Sequence, residues 1–218
     1  MELEFYSLLP EFFQYEKIIL LLILGGIFGI SVISRFFLDN TKWKHLTGFL
    51  LLIYWGIIVL NMTIIGRIPS DEPQINMQLF MCFQRAWDYQ SALYWYFIIG
   101  NIVMFIPVGI ILPVFFESKR AYWKVILTGF FLSLAVESSQ YFFNVGVFEL
   151  DDLFNNTVGA GLGYSLFVIF NHIISKDKNN ILQSIEEITS FIMWLITVLG
   201  LGIATLCGQP VFEYFTMR

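Results

Sequence analysis

Long apolar runs separated by short polar connections set the pattern of this chain. Six windows, at roughly 18–38, 46–65, 92–115, 124–145, 153–174 and 188–206, approach or exceed the length a helix needs to cross the hydrocarbon core, about 20 residues. Five of them carry charge only at their ends, and the fourth contains Glu137. The pattern predicts an all-α, polytopic transmembrane helical bundle of about six spans. Three stretches organise it: an acidic segment plus one helix over 1–45, a four-helix core over 46–174, and a polar loop plus a last helix over 175–218.

The connections alternate in charge. Lys and Arg number three in the 35–45 loop (Arg35, Lys42, Lys44), three in 116–124 (Lys119, Arg120, Lys124) and two in 175–187 (Lys176, Lys178). The opposite set, both termini with the 66–91 and 146–152 connections, holds four: Lys17, Arg67, Arg85 and Arg218. Positive charge stays on the cytoplasmic side, so eight against four puts both termini outside. Glu2, Glu4, Glu11 and Glu16 precede the first run, the reverse of a cleavable signal peptide. Within 66–91, Ile75, Leu79, Phe83 and Trp87 recur every fourth residue, which predicts an interfacial helix on the outer leaflet.

Composition agrees with the membrane class. Hydrophobic residues make up 57% and charged residues 13%, against about 25% charged in soluble domains. The net charge of −5, without a basic stripe, leaves no footprint for nucleic acid. The lipid bilayer is the expected partner.

Candidate chemistry lies in the polar groups within the spans. Glu137 is the one carboxylate well inside a window, about eight residues or roughly 12 Å from its outer end. Gln140 shares its face at i+3. Asn101 in the third span, Asn156 in the fifth, and Asp152 four residues before Asn156 fall at comparable depth. Three helices thus carry amides and carboxylates toward the outer half of one bundle. A lone Asn or Gln in a membrane often does no more than bond a neighbouring helix, at about 0.6 kcal/mol. A buried carboxylate must be protonated or paired, and no span offers Lys or Arg. A protonated Glu137 bonded to Gln140, Asn101 or Asn156 is the expectation. Asp151 and Asp152 suit the N-terminus of the fifth helix as caps. Gly159, Ala160, Gly161 and Gly163 predict close helix packing, and Pro107 a kink that opens room beside Asn101.

Three motifs in order, Asn101-Ile-Val-Met-Phe105-Ile-Pro107-Val-Gly109, Glu137-Ser-Ser-Gln140, and Phe148-Glu-Leu-Asp151-Asp152-Leu-Phe-Asn-Asn156-Thr157-Val-Gly159, resemble the VanZ-like family of membrane proteins. Its pattern runs N…F-x-P-x-G, E-x-x-Q and V-F-D-x-D-D…N-T-x-G, and the resemblance covers about residues 74–172. Two departures stand out. The family's Arg ahead of the last motif is replaced by Asn144-Val145-Gly146, and Glu149 stands for its first Asp. Either that contact is lost or Arg67 or Arg85 supplies it. The resemblance implies a role in resistance to teicoplanin-type lipoglycopeptides in Gram-positive bacteria. Asn101, Glu137, Gln140, Asp151, Asp152 and Asn156 would then line an outward pocket for a lipid-linked envelope component or an acylated antibiotic.

Two other classes compete. A membrane-embedded enzyme would use Glu137 as general base, with Asp151 or Asp152 on a metal and Asn156 stabilising charge. Its usual supports are missing, since His45 and His172 fall on the inner side and neither H-E-x-x-H nor G-x-S-x-G occurs. No cofactor or metal is called for. A small transporter is the third reading, and the chain shows no internal repeat of the kind that class often carries. Cys82 and Cys207 both fall on the outer side, where topology allows a disulfide but two free, partly buried thiols are the favoured reading.

Overall fold

The computed structural model describes residues 2–174 except 66, 68, 118 and 119, and the side chains of most of these from residue 19 onward. It is all-α apart from one small ribbon. The helices are α1 (Glu2–Phe37), α2 (Asn40–Thr63), α3 (Met81–Asp88), α4 (Ala92–Phe115), α5 (Tyr122–Phe142) and α6 (Leu150–Ile174). Five are long and apolar enough to cross a membrane: Ile19–Phe37 within α1, α2, α4, α5 and Leu150–His172 of α6. The sixth window, 188–206, lies outside the described residues. Large apolar side chains such as Leu22, Phe36, Phe49 and Phe131 point out of the bundle, as a lipid-facing surface requires. Backbone polar groups are meanwhile closed inside helices.

Sequence chemistry sets the helix ends. Asp39 caps α2: its carboxylate accepts from the Lys42 amide at 2.9 Å and pairs with the Lys42 ammonium at 3.0 Å. These contacts hold the Asp39 pKa below its ordinary value, the backbone hydrogen bond contributing most. At the core, Leu51, Tyr54 and Val59 of α2 pack with Phe105, Val108 and Ile111 of α4 and Val125 of α5. Helix α4 runs unbroken through Pro107 and Pro113. Trp55 of α2 donates to the Met104 carbonyl at 2.8 Å, just ahead of Pro107.

Helices α4 and α6 lie side by side and parallel, in closer contact than any other pair. A Cβ at Gly159 would overlap the Ile102 carbonyl, one at Gly163 the Ile106 carbonyl, and one at Gly109 the Ala160 carbonyl. The glycines therefore serve backbone approach, as their sequence spacing predicts.

The connections sort to two ends. At one end, β1 (Gln74–Asn76) pairs in parallel with β2 (Val147–Glu149), with Ile75 opposite Phe148. The Ser70 amide donates to the Asn144 carbonyl at 2.7 Å beside this ribbon. At the other end, His45 stacks on Phe116 with ring centroids 5.5 Å apart, and the Tyr164 hydroxyl donates to the Arg120 carbonyl at 2.6 Å. The 66–91 and 146–152 connections thus share one end, and the basic 35–45 and 116–124 loops share the other.

The expected interfacial helix over 66–91 is corrected. Among its described residues only Met81–Asp88 is helical; Ile75 sits in β1 and Leu79 in a turn. Pro73 restricts the backbone just ahead of Ile75, and pairing with β2 draws 74–76 into extended conformation. Phe80, with φ at 65°, then breaks the chain direction before α3. The four-residue spacing of Ile75 and Leu79 has no helical meaning. Ile75, Met77, Leu79, Trp87 and Tyr89 nevertheless remain exposed on this connection.

Candidate functional site

The polar groups gather at the ribbon end of the bundle, between α4, α5 and α6. Helix α5 ends at Phe142, so Glu137 lies five residues, or about 8 Å, from its end. That is shallower than the window to residue 145 suggested, because 143–146 turns back toward β2. Glu137 is only 2% exposed. Its Oε2 accepts from the Glu149 amide at 3.1 Å, which ties α5 to the last residue of β2.

The expected partners of Glu137 are engaged elsewhere. Gln140 donates to the Thr63 carbonyl at the end of α2, at 3.3 Å. Asn156 donates to Ser133 Oγ at 2.9 Å. Asn101 hydrogen-bonds Asp152 across the α4–α6 contact. Opposite charge comes instead from outside the spans. The Arg67 guanidinium, on the connection after α2, lies within electrostatic reach of both Glu137 and Asp152 and donates to the Val145 carbonyl at 3.4 Å. A Cβ at Gly146 would come within 3.1 Å of Arg67 Nη1, so glycine there leaves the guanidinium its room. Burial pulls the Arg67 pKa below its ordinary value and the two carboxylates push it back; guanidinium stays charged throughout. Arg67 thus brings a positive charge to the cluster beside the Asn144-Val145-Gly146 stretch.

Asp151 and Asp152, adjacent in sequence, act in different places. Asp151 is fully buried, and its two oxygens accept from the backbone amides of Phe80 and Cys82. The expectation that it caps its own helix is corrected: it caps α3, whose N-terminal Phe80 offers no side-chain acceptor. A carboxylate at these amides satisfies donors that have no partner within the helix. Phe80 is further held edge-on by Phe154 at 5.3 Å. Asp152 turns toward Asn101, Glu137 and Arg67.

Beneath the Glu137–Asp152 pair lies a second polar layer. Ser133 stands one turn below Glu137 on α5, and Asn156 one turn below Asp152 on α6, and these two are bonded to each other. Asn156 Oδ1 and both polar atoms of Asn155 are buried without a partner among the described residues. An unsatisfied buried polar group costs about 1–3 kcal/mol. Asn155, 1% exposed, escapes a sequence reading that takes polar residues singly. Its signal is the Asn155-Asn156 doublet inside an apolar run. Arg67 and Ser133 give fainter signals, since one lies beyond a span and the other resembles ordinary helix surface.

Cys82 is half-buried and forms no disulfide among the described residues; its Sγ lies 3.6 Å from Glu149 Oε2. Burial first, then the charges of Glu149, Asp151 and Asp152, push its pKa well above the ordinary thiol range. The Cys82–Cys207 pairing depends on a residue outside the described part. Among the described residues, no three His, Cys, Asp or Glu side chains are placed to hold a metal ion.

The family model VanZ/LLP1 matches residues 46–171, more than half of the chain, and takes in every residue of the cluster. Protein VanZ of Enterococcus faecium is 31% identical over 106 residues, 46% of this chain and 58% of the relative. The chain therefore spans less than two thirds of that relative's length. No solved structure matches. With its helical membrane spans and the matched core, this chain belongs to the VanZ/LLP1 family.

Proposed function

We propose that this protein acts at the cell membrane of a Gram-positive bacterium in protection against teicoplanin-type lipoglycopeptides. In this reading the Glu137–Asp152–Arg67 cluster, facing outward, engages the polar part of a lipid-linked envelope component or of the acylated antibiotic. One observation carries the proposal: three helices and a connection bring carboxylates, amides and an arginine together at one end of the spans. Charged groups inside membrane segments cost several kcal/mol and mark functional sites. The sidedness rests on the basic loops, which lie at the end opposite the cluster.

The test compares wild type with Glu137→Gln in a susceptible Gram-positive host, with membrane levels matched. Protection by the wild type and its loss in the variant support the reading. Equal protection by both removes the cluster from the role, and protection by neither removes the role.

A second reading is favoured by the Glu137–Asp152 pair itself. Two carboxylates within electrostatic reach of each other and of one arginine are the elements of an acid–base pair acting on an envelope lipid. Turnover of such a lipid by purified protein, lost in Asp152→Asn, would establish it.

A further inference from the structure

The composition of the cluster narrows what it can receive. Asp152 lies within reach of the charges of Glu137, Glu149, Asp151 and Arg67. Asp151 is met by the two amides of α3. That leaves Glu137 and Asp152, with Glu149 close by, and among the described residues a single guanidinium within reach of the first two, which also serves the Val145 carbonyl. Directly beneath, Asn156 is fixed through its Nδ2 to Ser133 while its Oδ1, nine-tenths buried and more, meets no donor among the described residues. Asn155, i+3 from Asp152 and equally buried, leaves both its amide donor and its carbonyl acceptor unpaired among the described residues. Carboxylates exceed the cation, and acceptors are left over in the layer they cover. Beside Arg67, this balance suits a second cation that carries hydrogen-bond donors.

We propose that the cluster is a binding site for a primary ammonium group, which enters between Glu137 and Asp152 and donates to them and to Asn156 Oδ1. An ammonium carries three donors and no acceptor, and its small size suits a position between two helices. A quaternary trimethylammonium carries the same charge but cannot donate. This proposal deepens the reading above by naming the chemistry of the ligand. The group can belong to a lipid headgroup or to a soluble amine, and the two sources separate experimentally.

The experiment uses the full-length protein purified in detergent, with no antibiotic present. Bound lipid is counted by native mass spectrometry against phosphatidylethanolamine and phosphatidylcholine of identical acyl chains. Thermal unfolding is followed with ethanolamine and with choline. Loss of the N–H donors removes charge-assisted hydrogen bonds, so the ethanolamine form should bind about tenfold more tightly. The preference should vanish in Glu137→Gln and in Asp152→Asn and persist in Glu72→Gln, which alters an exposed carboxylate of the 66–91 connection. A preference confined to the lipid pair assigns a headgroup, and one seen with the soluble pair assigns a free amine; both uphold the site. Equal behaviour of the ethanolamine and choline forms overturns it, as does a preference that survives both cluster substitutions. The methylation comparison needs only wild-type protein, so a variant that fails to fold does not shield the proposal. A failed susceptibility assay would leave this result standing, and protection without any ammonium preference would remove the ammonium site alone.

Discussion

Asp151 is the carboxylate whose removal has the most direct structural consequence. It sits in the first turn of α6 yet holds the start of α3, about 70 residues earlier, through the amides of Phe80 and Cys82. Hydrogen bonds to a charged group contribute about 1.5–3 kcal/mol each. The helix dipole adds about 0.3–1 kcal/mol at such a terminus. Replacing Asp151 by Ala removes both bonds and leaves two amides unsatisfied, for a loss of about 3–7 kcal/mol. Phe80 would feel it first, because its left-handed backbone has no glycine to relieve it. The loss should appear as local opening. At about 1.4 kcal/mol per decade, 3 kcal/mol is roughly a hundredfold rise in the open population. Hydrogen exchange of the 80–83 amides in detergent micelles reads this, with the central turns of α5 as internal reference. Asp151→Asn keeps one acceptor and should fall between the two. If exchange at 80–83 is unchanged in Asp151→Ala, the carboxylate does not hold α3, and its role must be sought among ligand contacts.

Three further outcomes are expected. Gly159→Ala and Gly163→Ala each force α6 away from the α4 carbonyls and should cost about 1–3 kcal/mol, seen as lowered thermal midpoints; unchanged midpoints would contradict the close seam. Arg67→Leu leaves Glu137 and Asp152 without their cation and should cost about 3–5 kcal/mol near neutral pH. The deficit should shrink as acid protonates the carboxylates, so equal deficits at pH 5 and pH 8 would show that Arg67 does not act by charge. Cys82, in a Cys207→Ser background, should alkylate far more slowly than a free thiol at pH 8, since its raised pKa keeps it protonated. By linkage, the protonated thiol favours the fold below the ordinary thiol value. That contribution falls as pH rises past it, because the unfolded chain then loses its proton first.

The spans were legible because their signal is local: some twenty apolar residues in a row declare a helix whatever surrounds them. The glycine seam was legible for a related reason, since small residues at helical spacing can only favour close approach. The ribbon was not. Gln74–Asn76 and Val147–Glu149 are three-residue strands, too short for a periodic pattern, and each is extended only because the other is there. The fate of Asp151 was hidden in the same way. Its neighbour sequence suits a cap on α6, and only the return of 66–91 to this end of the bundle presents it with the amides of α3.

The cluster lies between these cases. Asn101, Glu137, Asp152 and Asn156 could be placed at similar depth by counting along helices, and the structure does bring them to one end. Counting could not assign their bonds, because contact depends on which faces meet. The tight α4–α6 seam sets Asn101 against Asp152, and the antiparallel run of α5 sets Ser133 against Asn156. With the amides committed there, Glu137 is left to a backbone amide and to Arg67. A loop arginine thus completes what the spans lack, and its reach depends on the glycine at 146. A Cβ at 146 would crowd Arg67 Nη1 at 3.1 Å and Gln140 at 3.3 Å, and none of its three nearest atoms belongs to a carboxylate. Gly146→Val should therefore reproduce part of the Arg67→Leu deficit, including its recovery in acid. A purely local turn defect would lower stability equally at both pH values.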